Sequence, residues 1–231
     1  MKTNQLATAW TDDVVAGLAP FADPALAAPM AAYMRGHFAF LGIKTPQRRA
    51  VSTPLIRAAR STLTPAERLA AAQQLWALAE REYQIVAVDL LADRPATLGL
   101  AALPVLDALI GSKSWWDSVD GLAAQVVGPL VRAEPALLTV MDDWASGQRL
   151  WHARTALLFQ LGYKADTDTK RLFGYCRTLA GHPDFFIRKA IGWVLRQYAR
   201  TDADAVRAFV EAERMTLSPL SVREALKHLG R

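Results

Sequence analysis

Apolar residues recur along most of the chain at intervals of three and four, and the alternating pattern of strands is hard to find. Thr64-Pro65-Ala66-Glu67 has the form of a capping box with proline at the first helical position, which predicts a helix as far as about Leu78. A second helix is predicted from about Glu80 to Leu91. Further helix starts are predicted at Asp166-Thr167-Asp168, Thr201-Asp202 and Ser218-Pro219. These patterns predict an all-α fold.

A weak internal repeat occupies the second half of the chain. Segments 151–158, 185–192 and 220–227 align with one another, and each carries an arginine at the same position: Arg154, Arg188 and Arg223. One step of 34 residues back from Arg154 lies Asp120. Repeats of about this length, each a helical hairpin, predict an α-solenoid of the HEAT-like kind.

Equivalent positions of such repeats face the same way, so the arginine row has two interpretations. The arginines line a groove, or each packs on an acidic residue of a neighbouring repeat and joins the two units. For Arg223 the second interpretation is favoured. For Arg154 both remain open.

The N-terminal 60 residues fit the repeat poorly. Pro20, Pro24 and Pro29 interrupt them, and residues 42–49 resemble a loop that leads into a basic helix start. We therefore predict a cap of short helices over 1–60, followed by tandem helical repeats over 61–231. No low-complexity linker divides the chain, so we predict a single domain over 1–231.

The charge of the chain is unevenly distributed. Hydrophobic residues make up 52% and charged residues 21% of the 231 residues, which is a globular composition. Residues 1–144 carry 12 Lys and Arg against 14 Asp and Glu, whereas residues 145–231 carry 15 against 8. This asymmetry favours a polyanionic partner. The alternative is a slightly basic soluble protein whose genome favours arginine codons.

The motifs argue against several common classes of site. The single cysteine, Cys176, forms no internal disulfide, and the four histidines have no ligand spacing with cysteines or carboxylates. Phosphate-binding glycine loops and a G-x-S-x-G elbow are lacking. We therefore expect neither a metal nor another cofactor. With no signal-peptide core and no apolar run near the ~20 residues of a membrane span, we expect a cytoplasmic protein without membrane contact.

Residues 113–120, Lys-Ser-Trp-Trp-Asp-Ser-Val-Asp, carry the most informative chemistry. On a helix, Trp116 and Asp120 share one face, whereas Trp115 points about 100° away and can enter the core. A flat π surface beside a carboxylate suits a cationic planar target such as a purine alkylated at N3 or N7. Trp193 has Lys189 and Arg196 at helical offsets. The alternative for each tryptophan is burial in the core.

The sequence resembles the DNA alkylation repair glycosylases of the AlkD type, which are built from HEAT-like repeats. The resemblance spans about residues 29–227, and two of its blocks are highly specific: Trp-Trp-Asp-Ser-Val-Asp over 115–120 and Lys-Ala-Ile-Gly-Trp-Val-Leu-Arg over 189–196. It implies excision of N3- and N7-alkylated purines, such as 3-methyladenine and 7-methylguanine, from double-stranded DNA. Excision would occur without base flipping, as a step of base excision repair.

The resemblance also implies roles for individual residues. Asp120 is the expected catalytic carboxylate, and Trp116 and Trp193 are expected to flank the sugar and backbone of the lesion. Tyr33 and the groove arginine, Arg154, are expected to contact DNA. We assign to DNA binding, in addition, polar residues of the matching blocks: Lys44, Thr45, Lys113, Ser114, Lys189 and Arg196. We expect a monomer.

This hypothesis requires the carboxylate of Asp120 to face a positively lined groove. A carboxylate buried in an internal ion pair would remove its chemical basis. The competing hypothesis is a non-catalytic HEAT-repeat scaffold that binds DNA or protein. Relatives of that kind typically lack the carboxylate, so Asp120 favours the enzyme.

Overall fold

The computed structural model describes residues 2–229, which are helical throughout apart from their connections. Within them no strand forms, and only an isolated bridge joins Ala39 to Glu80. The prediction of an all-α fold is confirmed. The α-helices are α1 (Lys2–Leu18), α2 (Pro24–Tyr33), α3 (Thr45–Thr62), α4 (Pro65–Ala77), α5 (Arg81–Ala92), α6 (Leu103–Gly111), α7 (Trp116–Gly121), α8 (Gly128–Ala133), α9 (Leu138–Ser146), α10 (Leu150–Leu158), α11 (Thr169–Thr178), α12 (Phe185–Tyr198), α13 (Ala203–Ala212) and α14 (Pro219–Ala225).

The helix starts predicted from capping residues are confirmed. Thr64 and Glu67 form the complete capping box before α4. Asp168, Asp202 and Ser218 each accept a backbone N–H from the first turn of α11, α13 and α14. These short side chains satisfy donors that the helix itself leaves without partners.

The prediction of short helices in the N-terminal 60 residues is wrong. Helix α1 has 17 residues and α3 has 18. Pro46 lies in the first turn of α3, where its missing N–H removes no helical hydrogen bond, and α3 continues through Pro54. The break indicated by Pro20 and Pro24 is present, since a 3₁₀ turn over Ala19–Phe21 ends α1. The break expected at Pro29 is absent, because α2 continues through it.

The chain divides into two compact units, Met1–Val105 and Leu106–Arg231. Helix α4 packs on α1 and α5 of the first unit, and α1 also packs on α3. Residues 61–105 therefore belong with the predicted cap rather than apart from it. The single-domain interpretation stays a prediction, and its end residues 1, 230 and 231 lie outside the described residues.

In the first unit, a buried carboxylate fixes the loop before α3. Glu82 accepts the backbone N–H groups of Leu41, Gly42 and Ile43 at 2.9–3.0 Å. Gly42 has φ +89°, and a Cβ there would lie 2.0 Å from the carbonyl oxygen of Asp23. Only glycine fits this position. The loop therefore has a fixed conformation just before α3 begins.

In the second unit, contacts join residues about one repeat apart. Arg154 donates to Asp120 across 34 residues, and Arg132 donates to Asp166 across 34. The hydroxyl of Tyr163 donates to the carbonyl of Gly128 across 35. These separations agree with the repeat length expected from the sequence. Helix α12 packs on both α10 and α14, and its buried face is apolar.

A π-helical segment, Leu122–Val127, follows α7 directly and continues into α8. Such wide turns are rare and occur often at functional sites. Gly128 ends the segment, and a Cβ there would lie 2.2 Å from the carbonyl oxygen of Phe159. The helix that carries Asp120 thus approaches the following repeat closely.

No single helix among the described residues has the length and apolar character to cross a membrane. The pair Gln5–Phe21 and Pro24–Tyr33, which is bent by 108°, passes that test of length and composition only when its members are taken together.

Candidate functional site

A pocket of about 360 Å³ in the second unit brings together six of the predicted site residues. Helix α7 contributes Trp116 and Asp120, α10 contributes Arg154, and α12 contributes a row along one face. The complete lining is Trp116, Asp120, Arg154, Phe185, Phe186, Lys189, Trp193 and Arg196. The spacing argument that placed Trp116 with Asp120 is confirmed in this geometry.

Asp120 is ion-paired with Arg154 at two points. The Arg154 Nε lies 2.7 Å from Oδ1, and Nη2 lies 2.8 Å from Oδ2. The side chain of Asp120 is 16% exposed and that of Arg154 only 4%. The requirement that Asp120 be outside an internal ion pair is therefore not met, although the carboxylate still lines the pocket. Each carboxylate oxygen has a further lone pair for a water or a cationic ligand.

Arg154 also binds the backbone of α12. Its Nη1 donates to the carbonyl oxygen of Phe186 at 2.5 Å. Three guanidinium nitrogens thus contact protein acceptors, and the group is buried. Of the two interpretations of Arg154, these contacts favour the one in which it joins neighbouring repeats. Its contact with DNA stays a prediction.

Burial is the main influence on Asp120 and raises the pKa of its carboxyl above the ordinary range. The hydrogen bonds and charge of Arg154 act in the opposite direction, while the nearby Asp117 raises the pKa further. The ion pair therefore opposes the effect of burial, although the pKa remains raised overall.

Aromatic rings line part of the pocket, and further rings pack against them. Trp115, which precedes α7, packs on Phe186 and on Trp151 with ring centroids 4.9 and 5.8 Å apart. Phe185 packs edge-on against Phe186 and is 50% exposed. Trp116 lines the pocket, whereas Trp115 lies in a half-buried aromatic cluster beside it and does not enter the core.

Two cations of the pocket lining, Lys189 and Arg196, belong to α12. Both are bound to one carboxylate, Glu224 of α14, with Lys189 Nζ 2.7 Å from Oε1 and Arg196 Nη1 in close contact with Oε2. These two hydrogen bonds, that of Lys189 above all, lower the pKa of Glu224.

The remaining predicted DNA-binding residues lie outside this pocket. Lys113 has an uncommon left-handed conformation, φ +48°, in the turn before α7, and the hydroxyl of Ser114 donates to the carbonyl of Ile110. Tyr33, Lys44 and Thr45 line a separate, mostly apolar pocket of about 380 Å³ in the first unit. Tyr33 is 72% exposed there.

Sequence reasoning missed three residues of the site. Phe185 and Phe186 follow the N-cap Asp184, and a pair of aromatics at a helix start is a signal that was available. Glu224 has no such signal, because its contact with α12 depends on the packing of two helices 28–35 residues apart. Among the described residues, no group of three or more His, Cys, Asp and Glu side chains could hold a metal ion.

Comparison with known proteins identifies the family. The chain matches the family model of DNA alkylation repair enzymes over residues 14–229. A solved structure, described as a predicted DNA alkylation repair enzyme from Enterococcus faecalis, is 34% identical with a TM-score of 0.82. The match covers 90% of this chain and 97% of that one, and it is consistent with the α-solenoid class. No curated protein matches the chain. The chain belongs to the DNA alkylation repair enzyme family, which supports a role in the repair of alkylated DNA.

Proposed function

We propose that the protein is a DNA glycosylase that hydrolyses the N-glycosidic bond of N3- and N7-alkylated purines in duplex DNA. The observation that carries this proposal is the position of Asp120. Its carboxylate lines an open pocket together with aromatic and cationic side chains. That combination suits a deoxyribose that becomes positively charged while its phosphates stay negative.

The proposed reaction depends mainly on one carboxylate, that of Asp120. Alkylation gives the purine a positive charge, so the base departs with the electron pair of the C1′–N bond and becomes neutral. The sugar passes through a cationic, oxocarbenium-like state, as in glycoside hydrolysis. Asp120 would stabilise that charge, and a water adding to C1′ would pass its proton to Asp120 and then to solvent.

Arg154 has two opposing effects in this scheme. Its hydrogen bonds orient Asp120 and favour the ionised form. Its charge also cancels that of the carboxylate at a distance, which weakens the attraction for a cationic sugar. The proposal therefore needs the sugar to reach the exposed side of Asp120, where the lone pairs that Arg154 leaves are available.

The aromatic and cationic residues of the pocket lining would contribute less to the reaction than Asp120. Trp116 and Trp193 would add cation–π attraction of roughly 0.5–2 kcal/mol each. Lys189 and Arg196 would bind phosphates without regard to sequence, with a strong dependence on salt. Tyr33, Lys44, Thr45, Lys113 and Ser114 are proposed as further DNA contacts.

We further propose that the lesion stays stacked in the duplex, unlike the usual extruded base of glycosylases. Support comes from the resemblance to AlkD-type enzymes. A 2-aminopurine placed next to the lesion tests the point, because its fluorescence rises when a neighbouring base is extruded. A large rise on binding would contradict the proposal.

The decisive experiment measures the release of 7-methylguanine and 3-methyladenine from methylated duplex DNA. Wild-type protein should release both, and Asp120→Asn should bind the same DNA but release little. Equal release by the two proteins would remove Asp120 from the mechanism.

A second candidate function is favoured by the Asp120–Arg154 ion pair. A carboxylate that only joins two repeats would make the protein a non-catalytic DNA- or protein-binding scaffold. Binding of methylated DNA without release of base by the wild-type protein would support that function instead.

A further inference from the structure

Glu224 joins the two cations of the pocket through a single carboxylate. Its Oε1 lies 2.7 Å from Lys189 Nζ, and its Oε2 contacts Arg196 Nη1 closely. The side chain of Glu224 is 11% exposed, whereas those of Lys189 and Arg196 are 39% and 21% exposed. Both cations therefore remain accessible from the pocket, while the Glu224 carboxylate that binds them is more deeply buried.

The backbone holds Glu224 in this position. A Cβ on Gly192 of α12 would lie 2.5 Å from the Cβ of Glu224 and 2.9 Å from the carbonyl oxygen of Ser221. The hydroxyl of Ser221 donates to the carbonyl of Arg188 at 2.8 Å. Because α14 approaches α12 through a position without a side chain, Glu224 has little freedom to move.

The charges around the pocket make this contact significant. Asp120 and Arg154 form a neutral pair, and Lys189, Arg196 and Glu224 together leave one positive charge. Lys189 and Asp120 line the same pocket, and a lysine side chain is long and flexible. Asp120 is the one carboxylate in the lining of this pocket, so it is the anion of the lining that either cation could turn to without Glu224.

We propose that Glu224 is a positioning residue that directs Lys189 and Arg196 toward the phosphate backbone and away from Asp120. The carboxylate of Asp120 then stays available to the sugar. This inference rests on the proposed glycosylase function, and it adds to that function a residue outside the pocket lining.

The charged groups around Asp120 come from three helices. Asp117 of its own helix and Arg154 of α10 act on its pKa directly, and Lys189 and Arg196 of α12 line the same pocket. Glu224 of α14 acts through the last two. Removing the charge of Glu224 makes the surroundings of Asp120 more positive, so its pKa should fall and the acid limb of the excision profile should move to lower pH.

The test compares Glu224→Gln with Glu213→Gln. Glu213 is a matched control because it pairs with Arg177 at 2.5 Å, has 18% side-chain exposure and lies outside the pocket. For Glu224→Gln we expect a single-turnover rate roughly 10–100-fold lower, because the reacting groups are displaced. Duplex binding should weaken, with a salt slope shallower by about 0.9 for each cation that turns from a phosphate to Asp120. The control should change none of these.

A double variant separates positioning from a merely structural role. Lys189→Met in the Glu224→Gln background removes one of the two cations that Glu224 no longer binds, so the acid limb should return toward that of wild type. Glu224→Asp keeps the charge but shortens the side chain, and it serves if Glu224→Gln does not fold; a partial shift of the limb is expected. If the acid limb of the excision profile lies at the wild-type pH in both Glu224→Gln and Glu224→Asp, the inference is overturned.

A measurement without DNA keeps the inference distinct from the proposed function. The ¹³C signal of the Asp120 carboxyl reports its titration directly. If wild-type protein releases no base, the glycosylase proposal fails. A lower Asp120 titration midpoint in Glu224→Gln would still support the charge relationship, and an unchanged midpoint would refute it.

Discussion

Arg154 and Asp120 form a two-point ion pair between α10 and α7, at 2.7 and 2.8 Å, across a separation of 34 residues. The pair joins consecutive repeats at the position where the proposed reaction needs an ionised carboxylate. It is therefore a structural contact and a determinant of protonation at once, and variants of each partner should separate the two effects.

Replacing Arg154 should shift the pH dependence of excision. Burial and Asp117 raise the pKa of Asp120, and Arg154 opposes them. Arg154→Lys keeps the charge but loses the two-point geometry, so the pKa should rise and the acid limb should move to higher pH. Arg154→Met should move it further and destabilise the fold by about 3–5 kcal/mol, since an uncompensated buried charge is left. A pH–rate profile and thermal unfolding check both effects.

The control for Arg154 is Arg171→Lys. Arg171 also makes a two-nitrogen contact with a carboxylate, that of Asp142, but outside the pocket. Its substitution should lower stability without moving the acid limb. Identical limbs for Arg154→Lys, Arg154→Met and wild type would mean that another group controls the profile.

Asp120→Asn should lower the rate of base release by on the order of 10²–10³-fold, because a preorganised charge facing the developing cation is lost. Duplex affinity should change little, since the residue carries no phosphate contact in the proposal. Single-turnover release of 7-methylguanine and fluorescence anisotropy with the same duplex measure the two quantities. A parallel loss of binding would instead indicate damage to the fold.

Trp193→Leu should lower the excision rate by an amount that corresponds to roughly 0.5–2 kcal/mol of lost cation–π attraction. Trp144→Leu is the control, because Trp144 packs against His152 and lies outside the pocket lining. We expect Trp144→Leu to lower the melting temperature and to leave the rate of the folded protein unchanged. Equal rate losses for the two variants would argue against a role of Trp193 at the sugar.

Gly192→Ala should destabilise the protein by roughly 1–3 kcal/mol, since the added methyl group would overlap α14. Gly174→Ala is the matched control. Gly174 also lies inside a helix, α11, but nothing lies within 4 Å of its added Cβ. There the change should stabilise by up to about 1 kcal/mol, through helix propensity. Chemical denaturation measures both free energies, and a neutral Gly192→Ala would contradict the close approach.

Much of the fold follows from local sequence signals. Capping residues determine where α4, α11, α13 and α14 begin, and each acts within three residues of its helix. The N-terminal helices are harder to predict, because a proline inside a helix gives the same local signal as a proline that ends one; Pro29 lies inside α2. Pro46 lies in the first turn of α3, where proline causes no loss.

The site was predictable in part. Helical spacing is sufficient to place Trp116 with Asp120, and Lys189 with Trp193 and Arg196. An ion pair of Arg154 with an acidic residue of a neighbouring repeat was one of two open alternatives, but Asp120 was not named as the partner, although the two residues occupy equivalent positions one repeat apart with opposite charges. Contacts such as those of Glu224 depend on how closely two helices approach, and no local pattern encodes that distance.

The wide turn over Leu122–Val127 has a consequence for any attempt to transplant this chemistry. Shortening that segment by one residue to regular α-helix would rotate everything before it by about 100° relative to α8. Trp116 and Asp120 would then point away from Arg154. A designer who copies only the Trp-Trp-Asp-Ser-Val-Asp motif onto a straight helix would keep its residues but lose their orientation toward Arg154.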